Sequence, residues 1–167
     1  LMRESDQLTV REMLHRAARW FPNNEVAVDE TSRYTYKELL DQLQRCAALY
    51  HTLGVRKGDR VALMLYPSTV HCIALFAAFE LGALPVALHV RETAKALAPM
   101  VDRLAPRLLV YDASMEDKAK DLVESSPFLT ASIRATSSVP AQPDPEAKPA
   151  AEIPADLRNY TMDFEPM

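Results

Sequence analysis

The sequence is poor in glycine and cysteine and has no excess of positive charge, and each shortage closes a class of function. Its three glycines, Gly54, Gly58 and Gly82, stand apart from one another. None belongs to a G-x-x-x-x-G-K run or a Ser/Thr/Gly-rich loop, the devices that wrap phosphate in backbone N–H groups. The two cysteines, Cys46 and Cys72, make no C-x-x-C pair and no Cys/His cluster, so a zinc site has no support. They read as reduced thiols on apolar helix faces rather than as a disulfide. Cations number 19 against 23 anions, a net charge of −4, and the basic residues are scattered. That excludes a nucleic-acid surface. The longest apolar run, Cys72 to Phe79, is far too short for a transmembrane segment. The polar, mixed-charge start from Leu1 to Gln7 is no signal peptide. A cytoplasmic protein is the expectation.

Helical and strand periods alternate from Thr9 onward with little filler. Thr9 and Glu12 form a capping-box pattern ahead of Val10, Met13, Leu14, Ala17 and Ala18, and Pro22 ends that helix. Glu25 to Asp29 alternates like a strand that pairs with Arg33 to Thr35 across Thr31-Ser32. Thr35 and Glu38 form a second capping box. Leu39, Leu43, Cys46, Tyr50 and Leu53 then share a stripe that Gly54 closes. Lys57-Gly58-Asp59 is a turn. Arg60 to Leu65 is a nearly continuous apolar strand, as a sheet covered on both faces requires. Ser68 or Thr69 caps a helix over 70–81, apolar almost all round and therefore central. Leu84 to Leu88 reads as another buried strand, Thr93 to Leu104 as a helix, and Arg107 to Tyr111 as a strand. Met115 to Ser125 reads as an exposed, charged helix, with a weak strand at Ala131 to Arg134. From Ser137 to Ala155 five prolines lie among Ala, Glu and Gln, the composition of an extended linker.

This pattern predicts an α/β fold, a three-layer, doubly wound, mostly parallel sheet of Rossmann or flavodoxin type, with a Pro-rich C-terminal extension. The division is residues 1–136 as the α/β unit and 137–167 as a linker. Ligands in such sheets bind beyond the carboxyl ends of the strands, where the strand order reverses. Two loops meet that description, Tyr66-Pro67-Ser68-Thr69 and His89-Val90-Arg91-Glu92. The first runs into a helix N-terminus, which favours an anion. Ser68 lacks a G-x-S-x-G elbow and reads as a helix cap rather than a nucleophile. His71 reads as structural, and His15 and His51 have no nearby triad partner. The acidic pairs Asp29-Glu30 and Glu116-Asp117 read as solvated surface, because adjacent residues do not face each other on a helix. Trp20, Phe21, Tyr34 and Tyr36 read as a core cluster.

Several segments match a known pattern in order and spacing. Tyr34-Thr35-Tyr36-Lys37-Glu38-Leu39 is similar to the motif Leu-Thr-Tyr-x-Glu-Leu. Leu53 to Ala62 is similar to Leu-Gly-Val-x-x-Gly-Asp-x-Val-Ala, and Phe79 to Leu88 to a second core motif. Thr9 to Val28 and Asp156 to Met167 resemble the flanking segments. Together they resemble the N-terminal part of the adenylate-forming enzymes: acyl-CoA synthetases, aryl-CoA ligases, luciferases and peptide-synthetase adenylation domains. The sequence departs at Ser68, where the family usually has Asn, and at Val86-Ala87-Leu88-His89, where it usually has Val-Pro-Leu-Asn or Val-Pro-Leu-Asp. The second departure favours a CoA ligase over a peptide-synthetase domain.

The resemblance implies an N-terminal fragment of an ATP-dependent acyl- or aryl-CoA synthetase, inactive alone, in which 137–167 leads into the ATP-binding part. The parent enzyme would use ATP, Mg2+ and CoA on a carboxylic acid, and none is expected to bind tightly to this chain. Arg91 aligns with an arginine that can meet a CoA phosphate, for which its planar, paired donors suit it. The plainer role is a solvated pair with Glu92 or Asp102. His89, at the same strand end, is a weaker candidate for a proton shuttle near the thiol. No catalytic or metal-ligating residue is expected. The remainder of the ligase is the expected partner, and an apolar face left open would favour a homodimer. The alternatives are a standalone α/β binding module, an adenylation domain that loads a carrier protein, and a flavodoxin-like nucleotide binder.

Overall fold

The computed structural model describes residues 9–136. The Pro-rich linker and lead-in expected over 137–167 lie outside the described residues. Helix α1, Val10–Trp20, starts at Thr9, whose hydroxyl accepts from Glu12 N while the Glu12 carboxylate accepts from Thr9 N. Strands β1, Glu25–Val28, and β2, Arg33–Thr35, form an antiparallel hairpin. The hairpin is a separate two-stranded sheet and not part of the parallel one. Helix α2, Tyr36–Thr52, opens with the second capping box at Thr35 and Glu38. It ends where Gly54 takes φ +90°. A Cβ there would stand 2.9 Å from Arg107 Nη2, the far end of an exposed side chain, so it is the left-handed conformation that selects glycine.

The main sheet contains β3, Arg60–Met64; β4, Leu84–Ala87; β5, Leu108–Asp112; and β6, Ala131–Ala135. Its order is β4-β3-β5-β6 and every pairing is parallel. The weak strand expected at the end is thus a full sheet member. Helix α3, Thr69–Glu80, connects β3 to β4, and α4, Ala94–Leu104, carries the chain back across β3 to β5. A 3-10 turn, Ala113–Met115, and α5, Glu116–Ser125, lead to β6. The first crossover runs opposite to the other two. Right-handed crossovers in opposite directions place helices on opposite faces.

The core shows that result. Val61, Leu63, Leu108, Val110 and Ile133 pack with Ala47 and Tyr50 of α2 and Ala74, Ala77 and Ala78 of α3. The alternating residues Ala62, Met64, Leu109 and Tyr111 pack with Leu97 and Val101 of α4 and Ala119 and Leu122 of α5. Both pleat faces are apolar, which explains the unbroken hydrophobic runs of β3 and β5. Each fully buried Leu, Val or Met here contributes about 1.5–3 kcal/mol. No residue of α3 is fully exposed, in line with its central reading.

Three expectations change. Strand β4 is at a sheet edge among the described residues, with Leu84 and Ala87 exposed rather than buried. An edge also accommodates Pro85, which lacks an N–H for a second neighbour. Trp20 and Phe21 are exposed and do not join the core, because α1 turns its other side to the protein. His15 does have a partner: its Nε2 lies 2.8 Å from Glu80 Oε2, and Arg11 Nε lies 3.2 Å from Glu80 Oε1. The Glu80 carboxylate is buried at the end of α3, so this pairing clamps α1 onto the body of the fold.

The second capping box has a pH signature. Backbone and hydroxyl hydrogen bonds from Thr35 hold the Glu38 carboxyl below its ordinary value. A depressed folded pKa adds stability above the unfolded value and loses it as pH falls through the folded one. Carboxyl NMR titration is therefore expected to place Glu38 below an ordinary glutamate, and Thr35→Ala to raise it only part of the way, because the backbone N–H at position 35 still donates to it.

Candidate functional site

The carboxyl ends of β3, β4 and β5 meet at one end of the sheet. The strand order reverses between β3 and β5, so the topological switch point falls between the loop after Leu65 and the turn after Asp112. The first of the two expected loops is therefore at the switch point. The second, His89 to Glu92, follows the edge strand and only adjoins it. Tyr66, Leu88, Val90 and Met115, one or two from each strand end, pack in the same apolar cluster and hold the three loops together.

Ser68 caps α3, since its Oγ accepts from His71 N at 3.2 Å and donates to Tyr66 O at 3.2 Å. That supports the cap reading of Ser68 and gives His71 a place in the cap's first turn. The anion expected at the α3 N-terminus is internal. Asp29 Oδ2 accepts from Thr69 N at 2.9 Å and from Thr69 Oγ1 at 2.8 Å. Asp29 Oδ1 accepts from Thr31 N at 3.0 Å and Ser32 N at 2.8 Å. Asp29 is therefore not solvated surface but a link between the β1–β2 turn and the start of α3. Sequence reasoning missed this because 40 residues separate the partners.

Glu116 corrects the other acidic pair. It lies 3.2 Å from Lys120 Nζ and 3.6 Å from Arg134 Nε, with little exposure. Its hydrogen bond holds the Lys120 ammonium above the ordinary lysine value. Burial raises the Tyr111 hydroxyl, and the Glu116 charge adds to it. Asp112 is buried at the end of β5, where its Oδ1 accepts from Ser114 N at 3.0 Å and Ser114 Oγ at 2.6 Å. It shapes the turn at the switch point. The Asp-x-Ser spacing after an apolar strand was the available signal.

The His89 loop is organised from two sides. Arg91 N donates to His89 Nδ1 at 3.3 Å, the plain turn-forming role for this histidine. Lys118 Nζ donates to Val90 O at 2.7 Å. This tie brings a second cation to the loop that carries Arg91. It was hidden inside a helix that reads as exposed and charged. The Arg91 side chain is exposed and forms no ion pair with Glu92 or Asp102. His51 is remote from this edge in function; its carbonyl accepts from Arg56 Nη1 at 2.8 Å.

Neither cysteine is poised for chemistry. Burial pushes the Cys46 thiol up to about 12. Burial also raises Cys72, and the Asp29 carboxylate adds to that. Both thiols are free. Among the described residues no group of three or more His, Cys, Asp or Glu side chains converges to hold a metal ion. With the α3 N-terminus taken by Asp29, these residues do not fit a magnesium-bound triphosphate.

The model of the AMP-binding enzyme family matches residues 14–161. The chain belongs to the AMP-binding enzyme family. Long-chain-fatty-acid–CoA ligase FadD13 of Mycobacterium tuberculosis is 30% identical over 103 residues, which cover 60% of this chain and 20% of that ligase. Crotonobetaine/carnitine–CoA ligase of Escherichia coli is 35% identical over 82 residues, 49% of this chain and 16% of that one. The N-terminal domain of FACL13 from Mycobacterium tuberculosis superposes with a TM-score of 0.71 at 26% identity, over 77% of this chain and 34% of that structure. The chain thus spans a fifth or less of the length of the curated relatives it matches. Within this chain the parallel sheet with helices on both faces is the family's N-terminal arrangement, as expected from the sequence.

The Asp29 link is testable on the chain itself. Asp29→Ala removes the charged acceptor for Thr69 and for the β1–β2 turn. A loss of about 2 kcal/mol is expected, read as a lower midpoint in urea with an unchanged slope.

Proposed function

We propose that this chain is the opening part of an ATP-dependent acyl- or aryl-CoA synthetase. The parent enzyme would join a carboxylate to AMP, release pyrophosphate, and transfer the acyl group to the thiol of CoA. The observation that carries this reading is the family match over residues 14–161, together with relatives that are CoA ligases. Residues 1–136 would form the α/β unit and residues 137–167 the lead-in to the ATP-binding part. ATP, Mg2+ and CoA belong to the parent enzyme. The described residues of this chain supply sheet, one wall of the cleft and the loop at Arg91. A cytoplasmic setting goes with this reading, and the free thiols of Cys46 and Cys72 accord with it.

Arg91 is the residue proposed to meet a phosphate of CoA. Its exposure and the neighbouring Lys118 support the role, because two cations at one loop favour a polyanion. His89 is proposed to hold that loop through its bond to Arg91 N rather than to shuttle protons.

Reading the source DNA past the codon for Met167 tests the assignment. A Ser/Thr/Gly-rich loop ending Pro-Lys-Gly is expected downstream, and a stop codon would overturn the ligase reading. In the longer enzyme, Arg91→Ala is expected to raise the KM for CoA about tenfold while acyl-adenylate formation stays unchanged. An unaltered CoA dependence would remove Arg91 from the site.

A further inference from the structure

The edge of the main sheet opposite the switch point collects positive charge. Every pairing in that sheet is parallel, so the amino ends of its strands lie together. Backbone hydrogen bonds tie the connections there into one surface. Gly58 N donates to Gly82 O, Leu84 N to Asp59 O, Arg107 N to Arg60 O and Thr130 N to Arg107 O. Arg56, Lys57 and Arg60 enter this surface from the turn and start of β3, Arg103 from the last turn of α4, and Arg107 from the position before β5. Two of these cations serve helix ends. Arg56 Nη1 donates to His51 O at 2.8 Å, and Arg60 Nη2 to Ala105 O at 3.4 Å. Lys57, Arg103 and Arg107 do not. Their side chains are exposed and form no hydrogen bond or ion pair among the described residues. Lys57 lies along Gly82 and the Arg107 guanidinium along Gly54, so both cations stay at this edge.

Acids at this edge are fewer. Asp59 holds Arg56 N at 2.8 Å, and the buried Glu80 is taken by Arg11 and His15. Asp102 and Glu124 are exposed on the last turns of α4 and α5. The surplus of negative charge lies elsewhere in the sequence. Residues 137–167 hold Asp144, Glu146, Glu152, Asp156, Asp163 and Glu165 against Lys148 and Arg158, which accounts for the whole net charge of −4 and leaves residues 1–136 balanced. An acidic segment tethered to a neutral body is attracted to that body's cationic edge. Its length suffices. The five residues of β6 span about 17 Å from one edge of the sheet to the other. From Ala135 to Asp144 a Pro-rich chain can extend about 28 Å. A single surface ion pair is weak, but several carboxylates on one tethered segment act at a high effective concentration.

We propose that residues 144–156 of this chain dock on the amino edge of the sheet, with Asp144, Glu146, Glu152 and Asp156 meeting Lys57, Arg103 and Arg107. This docking does not depend on the ligase reading.

Lys57 supplies the amine for a direct test. The 167-residue chain is treated at low ionic strength and high dilution with a water-soluble carbodiimide, which condenses a neighbouring carboxylate and amine into an amide. The joined peptides are identified by mass spectrometry. The expected product links Lys57 to an acid of residues 144–156, in clear excess over products from Lys37 and Lys95, which are equally exposed on other parts of the surface. In about 1 M salt, where the Debye length is about 3 Å, its yield is expected to fall about tenfold. Arg103→Glu combined with Arg107→Glu keeps Lys57 as the reporter and is expected to lower the yield as much at low salt, with unchanged circular dichroism. Equal yields from Lys57, Lys37 and Lys95 overturn the proposal, as does a yield indifferent to salt or to the charge reversal in a folded variant. The salt and lysine comparisons decide without the variant if it does not fold. A yield that falls on dilution also overturns the proposal and assigns the edge to the acidic segment of a second copy.

Discussion

The burial of both faces of β3 and β5 is the constraint on which the other elements depend. Four parallel strands have no way to cover two apolar pleat surfaces themselves, so helices must pack on each side. Helices α2 and α3 close one face, and α4 and α5 the other. The crossover from β3 to β4 therefore runs opposite to those that follow, and this reversal sets the topological switch point at the carboxyl ends of β3 and β5. The place where a ligand would approach is a consequence of how the core is sealed.

The elements outside the sheet are attached through carboxylates. Asp29 joins the β1–β2 turn to the first residue of α3, and Glu80 joins the other end of the same helix to α1. Helix α3 is thus held at both ends by acids whose partners are remote in sequence. This arrangement fills the helix start at the switch point with the protein's own negative charge. The neighbouring loop that carries Arg91 is braced separately, by Lys118 of α5.

Much of the local structure was legible before any coordinates. The two capping boxes, the Gly54 ending of α2 and the apolar runs of β3 and β5 are encoded within a few residues of where they act. The family motifs lie on those same segments, which is why the resemblance and the periodicity agree. The site was less legible. Ser68 as a cap was readable, being a contact three residues long. Asp29, Glu80, Glu116 and Lys118 were not, because each acts on a partner that only folding brings near. Asp29-Glu30 and Glu116-Asp117 looked like solvated pairs because sequence adjacency says nothing about what packs opposite.

The sequence by itself determined the kinds of elements and their order, since side-chain period, capping residues and turn glycines are local. It also determined the family. Only the tertiary structure decided the strand order β4-β3-β5-β6, which makes β4 an edge among the described residues and puts the switch point between β3 and β5. It also decided that α1 turns Leu14 and Ala18 inward and leaves Trp20 and Phe21 in water. An amphipathic period shows that a helix has an apolar side. Which apolar residues are covered depends on the neighbours available, and those are chosen by the whole chain at once.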